Sequence, residues 1–203
     1  RLVLAARRAD RLRALAAELP DALAVPTDLT RPDEIQALAD QAVATYGRID
    51  VLVNNAAQGL HVPLAQVATD DFRAIMELNV YAPLRAMQVV APVMRASGGG
   101  AIINISSGTT RRVVPGLGAY AATKSALNTL SQTARAEWAA DGIVVSTVYP
   151  SLTRTDFHDS LRAGSMIDNG LQWYPAADVA ESILQTIVTG AAETVLAPRQ
   201  TPK

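Results

Sequence analysis

Apolar positions along this chain follow two rhythms that alternate from end to end. Leu2–Ala6 is a short continuous apolar run, as expected of a buried strand, and Leu12, Leu15, Ala16 and Leu19 then recur at helical spacing until Pro20. A short strand around Leu23–Val25 leads into Thr27-Asp28-Leu29. Thr30 and Asp33 have the spacing of a capping box with Pro32 in the first turn, and Ile35, Leu38, Ala39, Ala42, Val43 and Tyr46 make one apolar face that Gly47 ends. Ile49–Val53 is the next strand, ending in Asn54-Asn55. A long helix is expected from Thr69, a residue suited to an N-cap, to Ala96, where Ser97-Gly98-Gly99-Gly100 breaks it. Ala101–Ser106 and Ile143–Tyr149 read as strands on either side of a helix over Gly118–Ala140. Pro175 introduces a last helix to about Val188, and Glu193–Ala197 reads as a final strand.

Strands that alternate with helices imply right-handed crossovers and a doubly wound, mostly parallel α/β sheet covered on both faces. A length of 203 residues suits one such domain over 1–203. Sheets of this kind take ligands beyond the C-terminal ends of their strands. Arg7, Asp28, Asn54-Asn55, Ser106-Ser107 and Pro150–Thr155 all fall at those ends, which points to one cleft.

Composition narrows the function classes. Hydrophobic residues make up 49% and charged residues 18%, enough to bury a core, and the net charge of −1 with no basic block gives no footprint for nucleic acid or an anionic membrane surface. The chain has no cysteine, so disulfides, thiolate nucleophiles and Cys-based metal sites are excluded, and a cytoplasmic setting fits. The apolar runs fall far short of the roughly 20 residues that span a bilayer.

Chemistry concentrates at Tyr120 and Lys124, four residues apart at the start of the helix expected at Gly118 and hence on one face. A phenol titrates near ~10 and exchanges protons poorly at neutral pH unless a cation favours its anion. Alone, Tyr-x-x-x-Lys is common by chance. Ser107, at a strand end thirteen residues before Tyr120, adds a hydroxyl able to bond a carbonyl oxygen that gains charge during reduction. Asn79 sits inside the long helix, where Asn is a mediocre former, and its amide could hold a water on a path to Lys124. No His pair has metal-ligand spacing, and His61 and His158 read as incidental.

Asn79, Ser107, Tyr120 and Lys124 resemble, in order and spacing, the Asn-Ser-Tyr-Lys tetrad of the short-chain dehydrogenases/reductases. Asn54-Asn55-Ala56-Ala57 resembles that family's Asn-Asn-Ala-Gly, Asp28 its aspartate near the adenine ring, and Tyr149–Thr155 its Pro-Gly-x-x-x-Thr segment at the nicotinamide. The resemblance implies a Rossmann-like fold and hydride transfer between a nicotinamide cofactor and a small carbonyl or alcohol. In that role Tyr120 would be the general acid/base, and Lys124 would lower its pKa and hold the ribose. Ser107 would polarise the carbonyl, and Asn79 would sustain a water relay. Ser107 and Tyr120 would touch the substrate, and Arg7, Asp28, Leu29, Asn55, Tyr120, Lys124 and Thr153 would touch the cofactor. At the end of the second strand of the family, Ala5-Ala6-Arg7-Arg8 carries no acid for a ribose hydroxyl, so NADP(H) is expected over NAD(H), with Arg7 on the 2′-phosphate. The family also leads one to expect a homodimer or homotetramer through the helices over 69–96 and 118–140.

The chain departs from the family at Ala57 and Ser151, where glycine is usual, and above all at the start. The family's first strand, glycine-rich turn and helix, which seat the pyrophosphate, have no counterpart in this sequence. The domain is therefore read as N-terminally incomplete, with two unpaired strand edges that put its folding at risk and weaken cofactor binding. A catalytically silent dinucleotide-fold remnant with a binding or scaffolding role is the competing reading. A nucleotide-sugar epimerase is a third, and it normally carries a longer C-terminal substrate domain. The segment between Thr155 and Pro175, with Phe157, Trp173 and Tyr174, would cover the substrate without revealing which one it is.

Overall fold

The computed structural model describes residues 1–166, 171–197 and 199–200. Its main elements are β1 (Leu2–Ala6), α1 (Ala9–Ala17), β2 (Ala22–Pro26), α2 (Pro32–Tyr46), β3 (Val51–Asn54), α3 (Thr69–Met76), α4 (Ala82–Ala96), β4 (Gly100–Ile105), α5 (Gly118–Glu137) and β5 (Ile143–Tyr149). Two-residue strands β6 (Thr153–Arg154), β7 (Leu171–Gln172) and β8 (Tyr174–Pro175), then α6 (Ala176–Thr189), β9 (Glu193–Val195) and β10 (Arg199–Gln200) complete the order.

The long strands pair in parallel, as alternation with helices requires, in the order β3-β4-β5-β9. Helices cover both faces, as the alternating pattern predicts. On one side Met87, Val90 and Met94 of α4 and Ala134 of α5 pack on Ile102, Ile143 and Val145. On the other, Val179 of α6 packs with Ile103, Ile105 and Val148. α2 lies against α4 through Ile35, Ala39, Ala82, Ala86 and Val89.

The sheet is not continuous. β1 and β2 form a separate parallel pair that shares no ladder with β3. The expected unpaired edges are therefore present, and their side chains show it: Leu2 is 47% exposed and Val51 and Val53 are each 39% exposed.

Several local expectations are revised. Arg31, not Thr30, caps α2, because the Thr30 hydroxyl donates to Asp28 (2.7 Å). Thr69 lies inside α3 rather than capping it. The helix expected over 69–96 is interrupted by a π-helical turn at Glu77–Tyr81. Pro83 explains the break, since it has no N–H for the carbonyl four residues back, that of Asn79. α5 stops at Glu137, and a 3₁₀ turn over Ala139–Asp141 leads to Gly142 at positive φ.

Candidate active site

A cavity of about 510 Å³ opens at the C-terminal ends of β3, β4 and β5. It brings together five of the residues singled out from the sequence: Asn55, Ser107, Tyr120, Lys124 and Thr153. Chain geometry explains the convergence. β4 ends at Ile105, so Ser107 leaves the sheet at its tip, and the first turns of α5 carry Tyr120 and Lys124 back over the same end.

Asn79 lies behind the cavity, fully buried in the π turn. Its amide oxygen accepts from the Gln58 N–H (2.9 Å), and its nitrogen donates to the Gln58 carbonyl (2.9 Å) and the Thr123 hydroxyl (3.1 Å). Thr123 in turn donates to the Tyr120 carbonyl (2.8 Å). Both amide hydrogens are thus committed to protein, and Asn79 ties the loop after β3 to the first turn of α5. Only the second lone pair of its oxygen remains for a water.

Arg7, Asp28 and Leu29 do not line this cavity. Arg7 is exposed just past the C-terminal end of β1, with no ion pair among the described residues. Asp28 follows β2; its carboxyl accepts from the Thr30 N–H (3.0 Å) and hydroxyl and is held below the usual carboxylate range by these bonds, then by the charges of Arg7 and Arg31. Leu29 packs against the α2–α4 cluster.

Burial dominates the electrostatics of Tyr120 and Lys124. It pushes the Tyr120 phenol up to about 12, with a hydrogen bond to Ser107 working the other way, and pushes the Lys124 ammonium down to about 7. Lys124 donates to the Ile105 carbonyl at 2.8 Å and stands 6.0 Å from the centre of the Tyr120 ring. The expected lowering of the phenol by a charged Lys124 is therefore absent in this arrangement, because the same dry surroundings disfavour charge on both groups.

The opposite wall holds Phe157, from the segment expected to cover the substrate, and His61 and His158, which read as incidental in the sequence. The His61 ring lies 6.4 Å from that of Tyr120 and 5.6 Å from that of His158, and Phe157 is 5.9 Å from Tyr120. Trp173 meets His158 edge-on at 5.1 Å, whereas Tyr174 belongs to the core beneath α6. No spacing pattern could have flagged His61 and His158. They are 97 residues apart and meet only because the segment after β6 folds back over the loop after β3.

That return is held by two backbone bonds and one side-chain bond. Arg162 N–H donates to the Gly59 carbonyl (2.8 Å), His61 N–H donates to the Ala163 carbonyl (3.0 Å), and the Gln58 side-chain amide donates to the Ser160 carbonyl (3.0 Å). A salt bridge between Arg162 and Asp71 (2.7 Å) adds a clasp outside.

A model of the short chain dehydrogenase family matches residues 1–165. The chain belongs to this family. Short-chain dehydrogenases are oxidoreductases that use nicotinamide dinucleotides. A fatty acyl-CoA reductase of Mycobacterium tuberculosis, Rv0547c, is 34% identical over 187 residues, covering 89% of this chain and 62% of that protein. The chain therefore spans less than two thirds of the length of this relative. Among solved structures, a short-chain dehydrogenase from Sphingobium yanoikuyae in complex with NADPH superposes with a TM-score of 0.84 at 32% identity, covering 95% of this chain and 76% of that one. A 7α-hydroxysteroid dehydrogenase complexed with NADH and 7-oxo glycochenodeoxycholic acid gives 0.88 at 26% identity, covering 99% and 85%. These likenesses fit the parallel sheet with helices on both faces.

The donor set fits the nicotinamide half of such a cofactor. The Ser106 and Ser151 hydroxyls are buried in the cavity wall with no partner among the described residues, and Lys124 has further donors beyond the one used on Ile105. Thr153 donates to the Ser151 carbonyl (3.0 Å), keeping its oxygen available to accept. The seat for a pyrophosphate is not among the described residues.

Proposed function

We propose that the protein is an NADP(H)-dependent oxidoreductase that interconverts a carbonyl and an alcohol with Tyr120 as general acid and base. The observation that carries this reading is the meeting of the Tyr120 phenol, the Ser107 hydroxyl and the Lys124 amine on one cavity. The cofactor, when bound, supplies or removes hydride at the substrate carbon.

In the direction of reduction, Tyr120 donates its proton to the carbonyl oxygen as negative charge gathers there. Ser107 donates its single hydroxyl hydrogen to the same oxygen, its own oxygen already accepting from the Thr109 N–H and hydroxyl. Lys124 must turn from the Ile105 carbonyl and carry charge to favour that phenolate, which is costly in dry surroundings unless polar groups of the cofactor face it. Asn79 keeps the first turn of α5, and with it Tyr120, in place through Thr123.

The preference for NADP(H) rests on Arg7, an exposed guanidinium with no salt bridge among the described residues and no acid at Ala6 beside it. The chain is read as one domain. A strand paired between the free edges of β1 and β3, followed by a glycine-rich turn, would join the two ladders and seat the pyrophosphate. A cytoplasmic homodimer or homotetramer through α3–α4 and α5 belongs to the same reading, supported by the half-exposed Tyr81 on that surface.

The test is a spectrophotometric screen of ketones and aldehydes with NADPH and NADH, with Tyr120→Phe as control. Turnover that falls at least about 1,000-fold in the variant is expected. Activity that survives Tyr120→Phe would refute the mechanism, and no turnover of any carbonyl would favour a silent binding protein.

A further inference from the structure

The wall facing Tyr120 presents a polar ring, His61, that the proposed proton transfer does not use. His61 is only 8% exposed, and burial lowers the pKa of its ring, so the imidazole is neutral at physiological pH. Its Nδ1 lies 3.2 Å from the Ser165 carbonyl, an acceptor only, so Nδ1 carries the proton. Nε2 is then a bare lone pair. It has no partner among the described residues, and His61 lines the cavity.

The backbone beneath the ring is fixed: the His61 amide N–H donates to the Ala163 carbonyl (3.0 Å), and the His61 carbonyl runs beside Gly164, where a Cβ would come within 1.8 Å of the oxygen. A fixed acceptor this close to the acid/base tyrosine favours a ligand with a donor there. The cavity wall contains Arg112 and Lys124 and no carboxylate among the described residues, so a cationic donor is disfavoured. A neutral donor suits this wall, and a hydroxyl is the neutral donor that an alcohol or carbonyl substrate most simply carries.

We propose that His61 determines specificity by accepting, through Nε2, a hydrogen bond from a hydroxyl that the substrate carries within a few bonds of its carbonyl. The preferred substrate class is then a hydroxy ketone or hydroxy aldehyde, or in oxidation the corresponding diol. This inference rests on the proposed oxidoreductase reading and names the substrate class of that same site. A ligand without the donor strands the lone pair in a dry wall, which discriminates by about tenfold or more.

Three ketones of similar shape test it: acetophenone, 2-hydroxyacetophenone and 2-methoxyacetophenone. The last keeps the oxygen and lacks the donor but is larger by one methyl group, so the hydroxy-to-methoxy ratio is read in the wild type and in His61→Phe together. Wild-type protein is expected to show kcat/KM at least about tenfold higher for the hydroxy than for the methoxy ketone. His61→Phe is expected to bring that ratio to about one while acetophenone turnover stays within about threefold. A ratio near one in the wild type, or a ratio retained in His61→Phe, overturns the proposal. An equal fall for all three ketones also overturns it, since His61 would then merely latch the covering segment.

Ligand-observed NMR with 2-hydroxyacetophenone and 2-methoxyacetophenone reads the same preference as binding, without turnover. If binding discriminates in the wild type and not in His61→Phe while no ketone is reduced, the oxidoreductase reading fails and the hydroxyl site stands. If binding does not discriminate, the hydroxyl site fails whatever the turnover.

Discussion

Replacing Lys124 by Met should remove a pH dependence of stability that the buried amine imposes on the whole protein. Lys124 is 2% exposed, and burial lowers its pKa from 10.5 to about 7. Below pH 7 both the folded and the unfolded chain hold the proton, and the folded state bears the full cost of burying it. Between 7 and 10.5 the unfolded chain alone holds the proton, so each unit rise in pH relieves the folded state by about 1.4 kcal/mol. Tyr120 does not oppose this rise, because its raised pKa favours the folded form until pH exceeds 10 and costs stability only above that. From pH 7 to 9 the gain is roughly 2 kcal/mol, or roughly 4–8 °C in Tm for a domain of this size. Urea denaturation of the wild type and Lys124→Met in matched buffers from pH 6.5 to 9.5 measures it. Met fills similar volume and cannot titrate, at a cost of about 1 kcal/mol for the bond lost to the Ile105 carbonyl. The gap between the two curves should therefore change by roughly 3 kcal/mol between pH 6.5 and 9.5, roughly 2 of it between pH 7 and 9. Parallel curves would mean that Lys124 stays protonated in the fold, and the account of a neutral amine in a dry pocket would be wrong.

Two further outcomes follow from the site. Arg7→Ala should raise KM for NADPH by about 10–100-fold and leave KM for NADH nearly unchanged, as loss of a charge-assisted bond to a 2′-phosphate requires; equal changes for both would remove Arg7 from the cofactor. Gly164→Ala should destabilise the protein by about 1–3 kcal/mol, because φ is +81° and the new methyl would collide with the His61 carbonyl. Limited proteolysis should then cut near residues 156–165 faster than in the wild type, and unchanged cleavage would count against the backbone latch.

How far the sequence carried each inference depended on whether the cause was local. The alternation of apolar runs and helical periods located every long element, since burial sets that period directly. Tyr120 and Lys124 were legible because one helical turn brings them together without help from the rest of the chain. Ser107 was legible as a hydroxyl at a strand tip. The π turn around Asn79 was written in Pro83, a signal visible in the sequence but overridden by the strong apolar periodicity on both sides. Thr30 misled because its hydroxyl had a nearer partner in Asp28, so the α2 cap passed to Arg31. His61 and His158 were out of reach in principle. Their meeting depends on a covering segment whose position is fixed by backbone bonds to Gly59 and His61 rather than by any residue pattern.

The division between β1–β2 and the other strands governs how the protein comes apart. Within Leu2–Pro26 only Leu12 and Val25 are deeply buried, so the opening βαβ lobe has little to lose by melting ahead of the rest. Its amides should exchange with solvent deuterium sooner than those of β4 and β5. On the proposed reading, the soft lobe is the one that greets the adenosine end of the dinucleotide. Nucleotide affinity would then be set partly by the work of stiffening that lobe, and mutations that firm it from afar would tighten binding without touching the ligand.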